Sequence, residues 1–308
     1  MASSDPRIRD LLGRALSPGE PGLVSLIGFP CDQGVTRNNG RAGAAAAPSA
    51  IREALARLTP DAESPEAFRH VVERTADLGD VELAGDLEQD QARLGERMAP
   101  LLAGGGMVIV LGGGHETTYG HFLGYVRAGL PVTLVNWDAH CDVREPVHGL
   151  GTSGTPFRQA LAHPSGLAQR YLVAGLQPHS VAAAHLNFVR SRGEAVWRQD
   201  VTRATAVNLY AMPRTAILAS FDLDAVDRAH APGVSAPNSA GLSVDLWLEA
   251  AYRAGFAANI RSADVVELNP RVDRDGQTTT LAALTVWCLL KGVSDRIAGT
   301  GRPPTTAT

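Results

Sequence analysis

Four short stretches of this 308-residue chain gather side chains able to hold metal ions and move protons. They read Leu111-Gly-Gly-Gly-His115-Glu116, Asn136-Trp-Asp138-Ala-His140-Cys-Asp142-Val-Arg144, Ser220-Phe-Asp222-Leu-Asp224-Ala-Val-Asp227 and Val265-Val-Glu267-Leu-Asn269-Pro270. In extended backbone, side chains two residues apart share a face. That spacing predicts Asp138, His140 and Asp142 on one side, with Ala139 and Cys141 on the other, and Asp222 and Asp224 repeat the pattern. Carboxylates aimed at one spot repel each other unless a cation or protons neutralise them. Four aspartates, joined by His115 and His140, carry about four negative charges, which matches two divalent cations, with Asp138 and Asp222 placed to bridge both. Carboxylate and imidazole without thiolate favour Mn²⁺ or another borderline metal over a sulfur-bound structural zinc. A lone histidine after a glycine turn, or a lone Asp-x-Asp, is more often structural. Three ligand-type groups within Asp-Ala-His-x-Asp, with three further clusters in the same chain, point to metal binding.

The elements that must position these groups are legible around them. Apolar, β-branched runs at 24–29, 107–111, 132–137, 171–175, 216–221 and 263–268 read as buried strands. Helical spacing marks 49–58, opened by Pro48, and also 86–102, 118–128 and 244–254. Strands separated by helices imply parallel pairing with right-handed crossovers. In such sheets chemistry collects at the carboxyl ends of strands, where all four clusters fall. With no composition break and no internal repeat, we expect one α/β catalytic domain over 23–298, an N-terminal extension over 1–22 and a loose tail over 299–308.

Composition removes several classes of function. Lys+Arg 28 against Asp+Glu 32 gives a net charge of −4, which offers no electrostatic case for nucleic acid or an anionic membrane. No apolar stretch approaches the roughly 20 residues that span a bilayer. The start carries Asp5 and Asp10 and lacks the apolar core of a secretory signal. Cys31, Cys141 and Cys288 are scattered and odd in number, which excludes a disulfide framework and suits a reducing cytoplasm.

The clusters together resemble the ureohydrolase family of arginases, agmatinases and formimidoylglutamases. The matching pieces are Gly-Gly-Gly-His115, Asp138-Ala-His-Cys-Asp142, Ser-Phe-Asp222-Leu-Asp224, Ala231-Pro-Gly-Val-Ser-Ala-Pro237 and Glu267-Leu-Asn-Pro270, in family order. The resemblance implies a three-layer α/β/α sandwich around a parallel sheet of eight strands, two Mn²⁺ per subunit and a homotrimer or hexamer. It also implies that His115, Asp138, Asp142 and Asp222 hold one ion, that Asp138, His140, Asp222 and Asp224 hold the other, and that Glu267 grips the amidine or guanidine of a small-molecule substrate. Asp142 or Asp224 would carry a proton to the leaving nitrogen, with Asp142 favoured by analogy with arginase.

Within the family the resemblance runs most strongly to the formimidoylglutamase group, through Gly28-Phe-Pro-Cys-Asp-Gln-Gly-Val-Thr-Arg-Asn-Asn-Gly-Arg-Ala-Gly43 and Thr152-Ser-Gly-Thr-Pro-Phe-Arg-Gln159. Such enzymes hydrolyse N-formimidoyl-L-glutamate to L-glutamate and formamide in histidine degradation. Arg144 supports this independently. If extended backbone persists past Asp142, its guanidinium faces the metals, binds a substrate carboxylate and repels a cationic substrate; a salt bridge to Glu145 is its structural alternative. Arg37 and Arg158 are further candidates for a second carboxylate. The rivals are an agmatinase or guanidino-acid hydrolase and, from another class, a non-catalytic metal-binding regulator or assembly subunit. Two departures stand out. Thr155 occupies the position of the proton-shuttling histidine of arginases and agmatinases, and Asp227-Arg228 replaces the Asp-Pro of many relatives. His121, His148, His163, His179, His185 and His230 match no ligand position. The glycines before His115 are expected to serve through φ values closed to other residues, with Asn136 and Glu116 orienting the ligands.

Overall fold

The computed structural model describes residues 6–12 and 22–300. Its apolar runs become the strands β1 (Val24–Phe29), β2 (Thr75–Asp80), β3 (Met107–Gly112), β4 (Val132–Trp137), β5 (Ala168–Leu176), β6 (Gly193–Trp197), β7 (Ala216–Asp222) and β8 (Ile260–Val266). All pair in parallel in one eight-stranded sheet of order β2-β1-β3-β8-β7-β4-β5-β6. The helices are α1 (Gln33–Arg37), α2 (Ala47–Arg57), α3 (Pro65–Glu73), α4 (Leu87–Ala103), α5 (Thr117–Ala128), α6 (Pro156–Ala162), α7 (Ala183–Arg192), α8 (Arg203–Ala211), α9 (Val244–Phe256) and α10 (Gln277–Ala298).

Alternate side chains along each central strand feed opposite faces of the sheet. Ile109, Leu111, Val135 and Trp137 join one core with Ile51 and Leu55 of α2, Trp247 of α9 and Leu289 of α10. Val108, Val110, Val132 and Leu134 join the other, with Leu94 and Met98 of α4 and Phe122 and Tyr125 of α5. This is the expected three-layer α/β/α sandwich. Both faces are covered, so the central strands read as unbroken apolar runs and were legible in the sequence.

The two edge strands were not. Thr-Ala-Asp-Leu-Gly-Asp of β2 is largely exposed beyond its first residue, and β6 is nowhere fully buried. A strand covered on one side needs no continuous apolar run. The long α10 escaped for the opposite reason. Its sequence is apolar almost all round because it is buried between α9, α2 and α3, and such a run carries no helical periodicity. The expected helices appear within two residues of their predicted ends, with Asp86 and Ser243 capping α4 and α9.

The described part of the N-terminal extension is packed on the domain: Ile8 is buried and its N–H donates to the Leu58 carbonyl at 2.9 Å. Most of that segment, and residues 301–308 of the expected tail, lie outside the described residues. Among the described residues, no helix is long and apolar enough to cross a membrane.

One consequence of the strand order governs the rest. β3 and β4 are consecutive in the chain, yet β8 and β7 lie between them in the sheet. The four chemistry-bearing strands are therefore neighbours, although their clusters span more than 150 residues of sequence.

Candidate active site

Leu111, Val265, Phe221 and Trp137 pair in one row across β3, β8, β7 and β4. The next residues along β7 and β4 are Asp222 and Asp138, so the sheet register alone sets the two expected bridging carboxylates side by side. Beyond that row, extended backbone ends. β4 stops at Trp137, the chain bends at Ala139 and His140, and Asp142 takes a positive φ of 45°. The expectation of one extended face through Asp138, His140 and Asp142 is therefore corrected: a turn, not a strand, brings these groups together.

The turn has a local cause. The His140 N–H donates to Asp138 Oδ1 at 2.7 Å, and the Asp224 N–H donates to Asp222 Oδ1 at 2.9 Å. Each strand-end aspartate thus accepts the amide two residues on and folds the chain over itself, as aspartate does in Asx-turns. Asp-x-His and Asp-x-Asp are the same backbone device used twice.

His115 arrives through Gly-Gly-Gly, but not for the expected reason, because none of Gly112, Gly113 and Gly114 has a positive φ. They are needed for closeness: a Cβ on Gly113 would lie 1.9 Å from the Cys31 carbonyl oxygen. The Gly114 N–H donates to that carbonyl at 2.9 Å, and the Glu267 N–H donates to the Gly113 carbonyl at 2.8 Å. The ends of β1, β3 and β8 are thereby tied together. Glu267, held at φ 67°, also accepts the His115 N–H on Oε1 at 2.8 Å.

The six expected ligands converge. His115, Asp138, Asp142 and Asp222 place one ligand atom each within 4.8 Å of one another, and so do Asp138, His140 and Asp224. His115 Nδ1 lies 2.9 Å from both Asp142 and Asp222 and 3.5 Å from Asp138, yet no contact has hydrogen-bond geometry and the atom is buried without a partner. Asp224 Oδ1 is likewise buried and unpartnered. Buried polar atoms are rarely left unsatisfied, and these face a space ringed by oxygen and nitrogen donors. The donor set fits a pair of borderline divalent ions.

Electrostatics say the same. Burial, then the charges of Asp224 and Asp138, push Asp222 well above the usual carboxylate range. Burial lifts Asp224 to about 6 against the pull of His140. Asp224 raises His140 strongly; Asp142 and Asp222 outweigh burial and raise His115. Glu267 rises to about 8 through burial and the charge of Glu116. Without cations the cluster must hold protons.

Asn136 stands where a ligand-orienting group is needed, donating to Asp138 Oδ2 at 2.9 Å. Glu116 instead accepts the Gly34 N–H at 2.7 Å. Arg144 lines the cleft above the cluster, together with Asn38, Ser153, Ser235 and Glu267. It is exposed, its N–H donates to the Gly154 carbonyl, and its Nη1 donates to Asn38 Oδ1 at 2.8 Å. Glu145, its supposed partner, pairs with Arg158 at 2.7 Å.

Arg37 and Arg158 are not brought to the cleft. Arg37 is held by both oxygens of Glu88, at 2.6 and 3.1 Å, and Arg158 lies 3.7 Å over the Phe188 ring as well as on Glu145. Their expected role in binding a carboxylate is corrected to bracing loops, because their charge is already matched. Thr155 stands at the start of α6, where its Oγ1 accepts the Thr152 N–H at 2.8 Å and lies 2.7 Å from Gln159 Oε1. The cleft's lining contains no histidine except the cluster's own His140. Asn38 and Ser153, which steady Arg144, were given no role by sequence reasoning, although both fall inside the stretches 28–43 and 152–159 that carry the resemblance to formimidoylglutamases.

With the geometry in view, comparison with known proteins is direct. The Arginase family sequence model matches residues 23–291. The formimidoylglutamase of Chromobacterium violaceum is 38% identical over 289 residues, covering 88% of each chain. That of Geobacillus thermodenitrificans is 39% identical over 289 residues, covering 90% of this chain and 86% of its own. The crystal structure of Trypanosoma cruzi formiminoglutamase with Mn²⁺ superposes with a TM-score of 0.86 at 31% identity, covering 95% of this chain and all of that one. A parallel sheet carrying Asp/His clusters at neighbouring strand ends defines a metallohydrolase-like architecture. This chain belongs to the arginase family.

The protonation pattern sets a test. Asp222, Asp224, Glu267, His115 and His140 all bind protons more tightly folded than unfolded. The metal-free protein therefore loses stability as pH rises through the window between about pH 4 and pH 8. Chelator-stripped protein should melt at a higher temperature at pH 6 than at pH 8, and added Mn²⁺ should abolish the difference. A stripped protein that melts higher at pH 8 contradicts this electrostatic picture.

Proposed function

We propose that the protein is a formimidoylglutamase, hydrolysing N-formimidoyl-L-glutamate to L-glutamate and formamide with two Mn²⁺ per subunit. The observation that carries this reading is the polarity of one cleft. Glu267, Asp142, Asp222 and Asp224 lie at its floor, and among the described residues Arg144 is the single arginine or lysine in its lining. A cationic amidine over the carboxylates and a carboxylate at Arg144 match a substrate bearing both charges. Agmatine would bring its second cation to a guanidinium instead. The relatives of the same name support the choice within the family.

His115, Asp138, Asp142 and Asp222 would hold one ion, and Asp138, His140 and Asp224, joined by Asp222 as the family resemblance implies, would hold the other. When bound, such a pair lowers the pKa of a shared water from about 15.7 towards neutrality and so supplies a nucleophile at physiological pH. The protein does the rest. Glu267 is buried, and its raised pKa reports the cost of its charge; an arriving amidinium relieves that cost and is held with its carbon over the metal cluster. Arg144 fixes the glutamate end, steadied by Asn38, whose Nδ2 donates to Ser153 Oγ at 3.1 Å. Attack at the amidine carbon makes a tetrahedral centre. Asp142 or Asp224 passes the proton of the attacking water to the glutamate nitrogen as its bond to carbon breaks. In the cell we place the enzyme in the cytoplasm, in histidine degradation, as a trimer or hexamer.

Side-by-side assays of formimidoylglutamate, guanidinobutyrate, agmatine and arginine should show the first as the preferred substrate. Faster hydrolysis of agmatine would sink the assignment. Arg144→Ala should lower kcat/KM for formimidoylglutamate about 10- to 100-fold, the worth of a charged hydrogen bond, without lowering turnover of agmatine. An equal loss on both substrates would show that Arg144 does not read the carboxylate.

Asp138→Ala should lose bound manganese and activity together, whereas Glu267→Ala should keep both ions and lose turnover. Metal analysis of the purified variants decides the matter, and full occupancy in Asp138→Ala would remove its bridging role.

A further inference from the structure

Beneath the metal cluster, α5 meets β7 and β8 through a polar stripe inside an otherwise apolar interface. Thr118, His121 and Tyr125 fall on one face of α5, and Ser262 and Asp264 are two apart on β8 and share a side of the sheet. Each of these residues is at most 2% exposed, and so are Ser220 and His115. Aliphatic side chains would fill this layer at lower desolvation cost. We propose that His121 and Asp264, acting through Ser220, are positioning residues that lock the ring orientation and tautomer of His115. The proposal rests on the reading of His115 as a metal ligand.

The proton count carries the argument. Asp264 Oδ1 accepts the Ser220 hydroxyl at 2.5 Å, and its Oδ2 accepts Thr118 Oγ1 at 3.1 Å and His121 Nδ1 at 2.8 Å. A serine has one proton, and here it points to Asp264. Towards His115 Nε2, 3.0 Å away, Ser220 Oγ can therefore only accept. Nε2 must carry a hydrogen, which leaves Nδ1, the atom among Asp138, Asp142 and Asp222, to present a lone pair to a cation. Reversing the serine would leave Asp264 short of a donor and face His115 with a proton, favouring the wrong tautomer.

His121 fixes the direction of the chain. Its Nδ1–H holds Asp264, while its Nε2 meets Ser262 Oγ at 2.6 Å, and Ser262 in turn meets the Tyr125 hydroxyl at 2.6 Å. Every member has a partner, so the carboxylate cannot turn away from Ser220 without stranding His121 in the core. The histidine that matched no ligand position in the sequence thus acts one layer below the ligands, as outer partners of metal-bound imidazoles do. The relay touches His115 alone. It predicts an effect on one ion and not on the other.

Ser220→Ala removes the acceptor with little change in volume. Manganese titration of the stripped protein by calorimetry, with electron paramagnetic resonance of the loaded form, reads the two sites separately. We expect one Mn²⁺ bound as in the wild type and the other weakened about 10- to 100-fold, with isolated Mn²⁺ signals replacing those of a coupled pair. Ser220→Thr, which keeps the hydroxyl, should restore the tight pair, and His121→Leu should weaken the same ion as Ser220→Ala. Two ions bound with unchanged affinity by Ser220→Ala, or equal weakening of both sites, would overturn the relay. A wild-type protein that binds no pair of ions would instead overturn the metal centre itself.

Discussion

Four aspartates, three of them buried, gathered in two overlapping groups with His115 and His140 form the constraint around which this protein is organised. Their burial, and after it their mutual repulsion, is unfavourable in a fold without cations, and both show in the upward displacement of Asp222 and Asp224. A chain keeps such a cluster only where something positive is to be held. The strands of a parallel sheet, covered on both faces by helices, supply the rigidity needed to press like charges together. The two cores flank the strands that carry the site, with Trp137 and Phe221 on one face and Leu134 and Leu218 on the other.

Two economical local devices convert sheet edges into a cage. Aspartates at the ends of β4 and β7 each capture the amide two residues on, so His140 and Asp224 fold back towards their own strand ends. The glycine turn after β3 lets three backbone segments approach more closely than any side chain permits. Glu267 is joined to that turn through both its own N–H and its carboxylate, which couples the carboxylate proposed to grip the amidine to the backbone of a proposed metal ligand. Orientation of substrate and orientation of metal are therefore parts of one hydrogen-bonded unit. The polar stripe on α5 extends that unit downward, into a layer where only precise proton direction justifies the loss of apolar contacts.

Charge is also distributed by what is kept away from the cleft. Arg37 and Arg158, attractive as anion binders in the sequence, are each satisfied by a glutamate elsewhere. Among the described residues, the side chain of Arg144 hydrogen-bonds the neutral Asn38 and pairs with no carboxylate, which suits the role in substrate binding proposed for it. The distinction lies in partners, which sequence spacing does not reveal. Glu145 illustrates the point: adjacent to Arg144 in the chain, it serves Arg158 instead.

The residue types and their order were enough to mark the ligand-type side chains that the fold brings together, the central strands and the family. Ligand chemistry is local, and strands buried on both faces announce themselves as apolar runs. The edge strands β2 and β6 and the largely buried α10 carry no such periodic contrast and emerged only with the fold. So did the turn that replaces the extended face at Asp138–Asp142, because an Asx-turn and a strand accept the same short polar sequence. Which arginine meets the cleft, and which way the serine beneath His115 points its proton, depend on partners such as Glu88 for Arg37, Asn38 for Arg144 and Asp264 for Ser220, which lie far from them in the chain. Only the strand order that inserts β7 and β8 between β3 and β4 could decide them.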